Sequence, residues 1–369
     1  MRVAVIGAGI IGASIAYNLA RRPGVEVTVI EKERPGAGAS SHSFAWTNAF
    51  DKEPLHYHTL NRDSMELWHR YAHGLGVADA FECRGRLQLE NTAEGAEVLR
   101  ARVRRLQSWG YRCRVMEIGE VSALEPGLVT DSFTAASYSA VEGHVDVPRV
   151  IEACLRLAQD RGAEVLTGRA VTGLQRSDNG KIDAVETTGG SVACDVVAVA
   201  GGTSTPELAA HAGVLIPQPE SPGIVIRTDP RPPLLASVSV LHLPALGPDR
   251  ADVHLRQTKD GVVQIGQGTQ ESLNEDDSQA HADDLLDRGA RYFPALKGAT
   301  ALPQPVGYRP MPADGLPVLG FAKSARNLYI ALMHSGVTLA PLVSELATLE
   351  IVDGAQVEAL APYRVERFS

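Results

Sequence analysis

The spacing of apolar residues changes twice within the first thirty positions. Val3-Ala4-Val5-Ile6 is a short unbroken apolar run rich in β-branched residues, which predicts a strand buried on both faces. Ala13, Ala16, Leu19 and Ala20 then recur at helical spacing until Pro23-Gly24 stops the helix. Residues 25–30 predict a second strand, closing at Glu31. Further helices are predicted over 57–72, 93–109 and 147–159, with a strand over 165–171. Residues 195–200 read as another buried strand, ending in Gly201-Gly202. Two glycines there permit close approach of a cofactor, or serve a bulge or a packing need. The stretch 224–265 is largely strand-like. Over 252–258, Val253 and Leu255 face one side, and His254 and Arg256 the other. Lys259-Asp260-Gly261 predicts a hairpin turn and 262–265 the return strand. The last helix is expected over 338–352, with Leu339, Leu342, Val343, Leu346 and Leu349 as its apolar face, Pro341 in its first turn and Gly354 beyond its end.

Between the first strand and the first helix stands Gly7-Ala8-Gly9-Ile10-Ile11-Gly12. A strand before, a helix after and an acid about twenty residues on make this a dinucleotide fingerprint. Gly7 permits the tight turn, Gly9 lets a pyrophosphate reach the backbone, and Gly12 lets helix and strand pack closely. The helix start offers free N–H groups to phosphates, and Glu31 offers acceptors to ribose hydroxyls. The motif alone does not choose between FAD and NAD, since both carry ADP. Gly266-Gln267-Gly268 lacks the third glycine and a following helix, so it is read as the end of a hairpin.

Composition narrows the classes. The 369 residues suffice for two cores, and a net charge of -9 without a basic stripe argues against nucleic-acid binding. The four cysteines form no Cys-x-x-Cys, so no zinc site or redox pair is expected, and a cytoplasmic location fits. Neither a secretory leader nor a membrane span is expected.

Four segments resemble the D-amino-acid oxidase family of flavoproteins, the group of glycine oxidase and sarcosine oxidase. They are residues 7–31; Ser40-Ser41-His42; Ala200-Gly201-Gly202; and Gly307-Tyr308-Arg309-Pro310 through Asp314-Gly315-Leu316-Pro317-Val318-Leu319-Gly320, followed by His334-Ser335-Gly336-Val337-Thr338-Leu339-Ala340-Pro341. One departure is local: only Ser335 separates His334 from Gly336, where glycine oxidases have a longer segment containing an arginine. The resemblance implies an α/β fold: a Rossmann-type FAD-binding domain from residues 1–82, 141–216 and 300–369, interleaved with an antiparallel-sheet substrate domain from 83–140 and 217–299. It implies FAD held by Gly7, Gly9, Ile10, Ile11, Gly12, Glu31, Lys32, Ser40, Ser41, His42, Trp46, Val171, Ala200, Gly201, Gly202, Gly307, Arg309, Ser335, Gly336, Val337 and Thr338. Non-covalent binding is expected. His42 is the residue to check for a bond, since some relatives attach FAD through a histidine in a similar position. No cysteine lies near Arg309, which excludes a cysteinyl link.

The implied reaction is oxidation of a glycine-type amine or small D-amino acid to an imine, then hydrolysis, with oxygen reoxidising the flavin to give hydrogen peroxide. Arg309, whose planar fork matches a carboxylate, is the expected anchor. Its bland alternative is a surface ion pair. Tyr308 offers a hydroxyl or a packed ring, and His334 a flavin contact or acid–base work. Arg256, beside His254, is either a second cation for a larger substrate or the solvent side of a sheet. Three other readings stay open: a dehydrogenase passing electrons to a quinone or carrier protein, an NAD-dependent enzyme, and a non-catalytic nucleotide-binding module. The oligomeric state is left open.

Overall fold

The computed structural model describes residues 1–177, 180–247, 251–268 and 272–368. Residues 248–250, within the strand-like stretch 224–265, lie outside the described residues. So do 178–179, 269–271 and 369, within the expected domain segments.

A six-stranded sheet carries the glycine turn. Its order is Val318–Ala322, Ala325–Leu332, Val196–Val199, Arg2–Ile6, Glu26–Ile30, Glu164–Leu166. All neighbours are parallel except the outermost pair, the hairpin formed by Val318–Ala322 and Ala325–Leu332. Val3 to Ile6 are at most 4% exposed, as an unbroken apolar run requires of a strand covered on both faces. Helix Ile10–Ala20 packs against helices Val147–Gln159 and Gly336–Asp353, and helix Leu55–Gly74 packs on the last of these. A three-stranded antiparallel sheet, Val171–Arg176, Ile182–Thr187 and Gly190–Ala193, adjoins it.

The second large sheet has eight strands in the order Ala301–Leu302, Val225–Pro230, Val262–Gln267, Val253–Gln257, Val240–Leu243, Arg86–Glu90, Ala135–Ser139, Cys113–Met116. It is antiparallel except where its two chain segments meet, Val240–Leu243 against Arg86–Glu90. Ala301–Leu302 joins it from beyond the expected boundary at 299/300. One face is apolar, with Leu87, Leu89, Leu241, Val253, Leu255 and Ile265 in a core under helix Gln279–Tyr292. The other face carries Arg86, Gln88, His242, His254, Arg256 and Gln264.

Two elements differ from expectation. The strand expected over 165–171 is two strands in different sheets, because Gly168 turns the chain at φ +67° between them. The last helix begins earlier, at Gly336, so Pro341 lies in its second turn. Close by, Ser64 and Trp68 donate to the Thr338 carbonyl at 2.7 and 3.2 Å. That helix is buried nearly all round, and Leu349, expected on its apolar face, is 39% exposed.

Candidate active site

The glycine turn is a steric necessity. Gly7 sits at φ +101°, and a Cβ there would meet the Ala200 carbonyl oxygen at 2.5 Å. A Cβ on Gly12 would overlap the Gly7 carbonyl oxygen. Gly9 differs: its Cβ would stand over the turn, 3.3 Å from Ser40 Oγ, in the space a phosphate would take. Ile10 N–H donates to that Ser40 hydroxyl at 3.1 Å, while Ile11 and Gly12 lie in the first turn, where backbone donors lack helical partners. The Ala200 N–H donates to Ile6 O at 2.8 Å, which presses Ala200-Gly201 against the turn, with Gly202 following at φ +60°.

Glu31 is buried at the mouth of this turn. Its carboxylate accepts the Ala8 N–H at 2.8 Å and the Glu33 N–H at 2.9 Å. A carboxylate has about four acceptor positions, so two remain for ribose hydroxyls. Lys32 beside it is exposed. The segment leading to Val171 runs along the same mouth, Arg169 N–H donating to Glu31 O at 2.9 Å. A cavity of about 400 Å³ opens beside Ser40 and Ser41, walled by Gly36, Val147, Ile151, Leu155 and Val165.

A second cluster forms where the last helix starts. Ser335 caps it in the left-handed region at φ +59°, although it is not glycine. Its hydroxyl accepts from Tyr57 OH at 3.1 Å and lies 3.3 Å from His334 Nδ1. Thr338 Oγ1 donates to Trp46 O at 3.4 Å and accepts Asn48 N–H at 3.3 Å, tying Gly336-Val337-Thr338 to the loop of Trp46. Burial holds the His334 imidazole well below its ordinary range, and the charges of Lys52 and Arg309 push the same way.

The polar face of the eight-stranded sheet forms the opposite wall. His254 stands edge-on to Phe44, ring centroids 4.4 Å apart, with Trp46 and His242 beyond. It sits over Gly266, where a Cβ would overlap its Nε2, so the glycine at the hairpin's end is a seat for an imidazole. Burial first, then His242 and Arg309, bring His254 to about 3, so it is neutral. His242 pairs with Asp252.

Arg309 enters from the strand Gly307–Tyr308. Its guanidinium donates to Pro222 O at 2.7 Å and Ser221 Oγ at 3.4 Å, and fills the place a Cβ on Gly223 would take. Its charge acts on both His254 and His334. Gly307 lies under His42, whose Cβ is 2.5 Å from where a Gly307 Cβ would stand.

Two expected catalytic residues are placed elsewhere. Tyr308, next in the strand to Arg309, points out: it is 42% exposed and its OH donates to Glu275 at 3.3 Å. Arg256 is on the predicted face but committed to holding structure. Its Nε donates to Phe44 O at 2.6 Å, its Nη1 meets His144 Nδ1 at 3.1 Å, and burial brings its guanidinium down to about 10. It fixes the Phe44 loop, so its expected role as a second substrate anchor competes with a structural one.

The FAD-dependent oxidoreductase (DAO) family model matches residues 2–349. The chain belongs to the DAO family. Glycine oxidase of Geobacillus kaustophilus is 27% identical over 379 residues, covering 99% of this chain and 96% of that protein. The crystal structure of that glycine oxidase matches with a TM-score of 0.86 at 26% identity, covering 99% and 98%. One component of the opine oxidase of Rhizobium meliloti is 25% identical, covering 99% and 96%.

The residues present fit the family's FAD. The Gly7–Gly12 cradle and helix start suit its pyrophosphate, Glu31 a ribose, and the positive end of helix Gly336–Asp353 suits a group that gathers negative charge when reduced. Among the described residues no group of His, Cys, Asp and Glu side chains is arranged to hold a metal ion, and no helix is long and apolar enough to cross a membrane.

Several buried charged residues near Trp46 and Tyr57 escaped the sequence reading. Lys52 is 6% exposed beside Tyr57. Arg86 and Glu142, both fully buried, pair at 3.1 Å; Glu142 accepts from Trp46 Nε1 at 2.8 Å and Tyr111 OH at 2.9 Å, and Arg86 lies 3.6 Å over the Phe50 ring. These partners are tens of residues apart, and no local pattern joins them. The one available signal was Arg86-Leu87-Gln88-Leu89-Glu90, which alternates as 252–258 does.

Proposed function

We propose that this protein oxidises a glycine-type amine (glycine, an N-substituted glycine or a small D-amino acid) to an imine that water hydrolyses, with oxygen as electron acceptor and hydrogen peroxide as product. Arg309 carries the reading: a half-buried cation, backed by Gly223 and held by Pro222 O, whose charge reaches His254 and His334. The likeness to glycine oxidase supports it.

Arg309 binds the substrate carboxylate and so fixes which Cα–H points into the chamber. The substrate nitrogen must be neutral to release hydride from carbon. Burial is the chief reason His254 and His334 stay unprotonated, with Arg309 acting the same way on both, and the same surroundings disfavour an ammonium beside them. Phe44 and Trp46 wall the chamber with ring surface, which limits water around the reacting carbon. FAD supplies the hydride acceptor. The N-terminus of helix Gly336–Asp353 offers its backbone N–H groups and dipole to the charge that reduction brings.

We infer non-covalent FAD, released by acid precipitation; flavin retained in the pellet would point to His42. The interleaved two-domain division and a cytoplasmic setting, consistent with four free cysteines, belong to the same reading. The test is aerobic incubation with glycine, sarcosine and D-alanine, assaying peroxide and 2-oxo acid. Peroxide with glyoxylate is expected. Flavin reduction without peroxide would make the protein a dehydrogenase, and no reduction by any of the three would refute the substrate class.

A further inference from the structure

Tyr57 stands in the first turn of helix Leu55–Gly74 and is only 3% exposed. Its ring packs edge-on to that of Tyr363, which is fully buried. Burial holds the Tyr57 phenol above its ordinary range, so it keeps its proton and donates it to Ser335 Oγ at 3.1 Å. Ser335 Oγ in turn lies 3.3 Å from His334 Nδ1. A hydroxyl has one proton to give. Ser335 Oγ already receives that of Tyr57, and among the described residues His334 Nδ1 is its one other partner. Ser335 therefore donates to Nδ1; a proton on Nδ1 would leave the serine proton without an acceptor.

A neutral imidazole carries one N–H. With Nδ1 accepting, the proton sits on Nε2, and Nε2 has no hydrogen-bond partner among the described residues. This unspent donor lies at the cofactor end of the site. Helix Gly336–Asp353 begins two residues on. A Cβ on Gly336 would lie 3.4 Å from Ile11 Cγ1 and 3.8 Å from Ile10 Cγ2. The start of the last helix thus stands beside the start of helix Ile10–Ala20, where the glycine turn suits the pyrophosphate of FAD.

We propose that Tyr57 and Ser335 hold His334 as a neutral Nε2–H donor to the reduced flavin, and that His334 takes no part in removing the amine proton. Tyr57 and Ser335 are then positioning residues, acting through the imidazole. This deepens the amine-oxidation reading, and its chemical role rests on it. Both ring nitrogens are engaged: Nδ1 accepts from Ser335 and Nε2 carries the proton, so no lone pair is open to the amine. Reduction brings negative charge to the flavin. A donor fixed before that charge arrives stabilises it without reorganisation at the moment of reaction. A neutral donor does so without the desolvation cost of a buried cation. Burial is also the chief reason His334 stays neutral.

Two readouts test this without requiring turnover. In the FAD-loaded protein with histidine labelled by heavy nitrogen, magnetic resonance distinguishes the two tautomers, and the His334 signals are those missing from His334→Leu. Wild type should show Nε2–H alone. Ser335→Gly deletes the hydroxyl at φ +59°, a backbone conformation that glycine adopts freely, so the fold is kept. It should turn the single tautomer into a mixture, and so should Tyr57→Phe. The second readout is the equilibrium between oxidised and reduced flavin against a reference dye. His334→Leu should shift it about ten- to a hundredfold toward oxidised flavin, and Ser335→Gly less far in the same direction. A proton on Nδ1 in the wild type overturns the proposal, as does an unchanged flavin equilibrium in His334→Leu. So does a ring that stays wholly Nε2–H in Ser335→Gly, since the hydroxyl would then hold nothing. Flavin reduction by glycine and sarcosine is followed separately: no reduction by either, with the tautomer and the dye equilibrium as expected, sinks the oxidation reading and leaves the donor standing.

Discussion

At the Gly7–Gly12 turn the protein faces its ligand with backbone; across the chamber, on the eight-stranded sheet, it does so with side chains. The turn works by removing side chains, so Gly7 and Gly12 are fixed by the Ala200 and Gly7 carbonyls themselves. The sheet works by adding them, and what each does depends on partners reached through space. Arg256 and Arg309 show the difference: Arg256 braces Phe44, while Arg309, held at Pro222 O, is the proposed carboxylate anchor. Backbone sites tolerate almost no substitution but carry little specificity. Side-chain sites divide the work, and substitutions there should separate folding from binding.

The largest effect should come from the turn. Gly12→Val places a side chain inside the Gly7 carbonyl and should cost about 3 kcal/mol of stability, together with flavin binding. Gly9→Ala meets only Ser40 Oγ at 3.3 Å, so the protein should fold while losing flavin affinity. Urea denaturation alongside flavin content separates the two. A Gly12→Val protein with full flavin and an unshifted midpoint would show that the turn has slack.

On the sheet side, Arg309→Ala should keep its flavin yet lose about 2–5 kcal/mol of kcat/KM toward carboxylate substrates. Arg256→Ala should instead lose about 1–3 kcal/mol of stability, because Phe44 O and His144 lose their shared donor. If Arg256→Ala were as stable as wild type and defective only in substrate binding, the two arginines would have to exchange roles.

This contrast also explains what could be read from the chain. The glycine turn was legible to the residue, because each glycine answers a local steric need within a strand–turn–helix pattern. The eight-stranded sheet was legible as alternation: His254 and Arg256 do share a face. Commitment was not legible. Whether Arg256 meets Phe44 or a substrate depends on residue 44, more than two hundred positions away. Tyr308 was misread because the motif Gly-Tyr-Arg-Pro gives no side, and successive strand residues point opposite ways. Lys52 sits among Asp51, Glu53 and Pro54, which reads as an exposed turn.

Acid should act on the side-chain wall. His254 is brought from its ordinary 6.5 to about 3, and His334 is lowered too, both chiefly by burial. The unfolded chain therefore takes up these protons first on acidification. Their contribution to stability is complete above about pH 6.5 and is lost on acidification, for His254 as pH falls toward 3. Each histidine adds at most about 1.4 kcal/mol per pH unit to the slope. Urea midpoints between pH 7 and 5 should fall in the wild type and fall less in His254→Gln. Parallel slopes would mean that His254 protonates as readily folded as unfolded.

The smallest expected effect tests whether backbone demands also reach the chamber. Ala45 is held at φ +59° between Ser43 and Trp46, where an alanine carries about 1–2 kcal/mol of strain. Glycine would relieve this, but it would lose a methyl group that is 3% exposed, about 0.8 kcal/mol, and gain unfolded-state freedom, about 0.4–1 kcal/mol. The terms nearly cancel, so Ala45→Gly should change stability by no more than about 0.5 kcal/mol. Ala16→Gly is the control. Ala16 is fully buried in helix Ile10–Ala20, where φ is already favourable and glycine has nothing to relieve. Losing its methyl and the helix propensity of alanine should together cost about 2 kcal/mol. Urea midpoints of the two variants compare them directly. If Ala45→Gly fell as far as Ala16→Gly, the left-handed backbone at residue 45 would carry no strain, and the loop that places Phe44 and Trp46 would be held by its side chains alone.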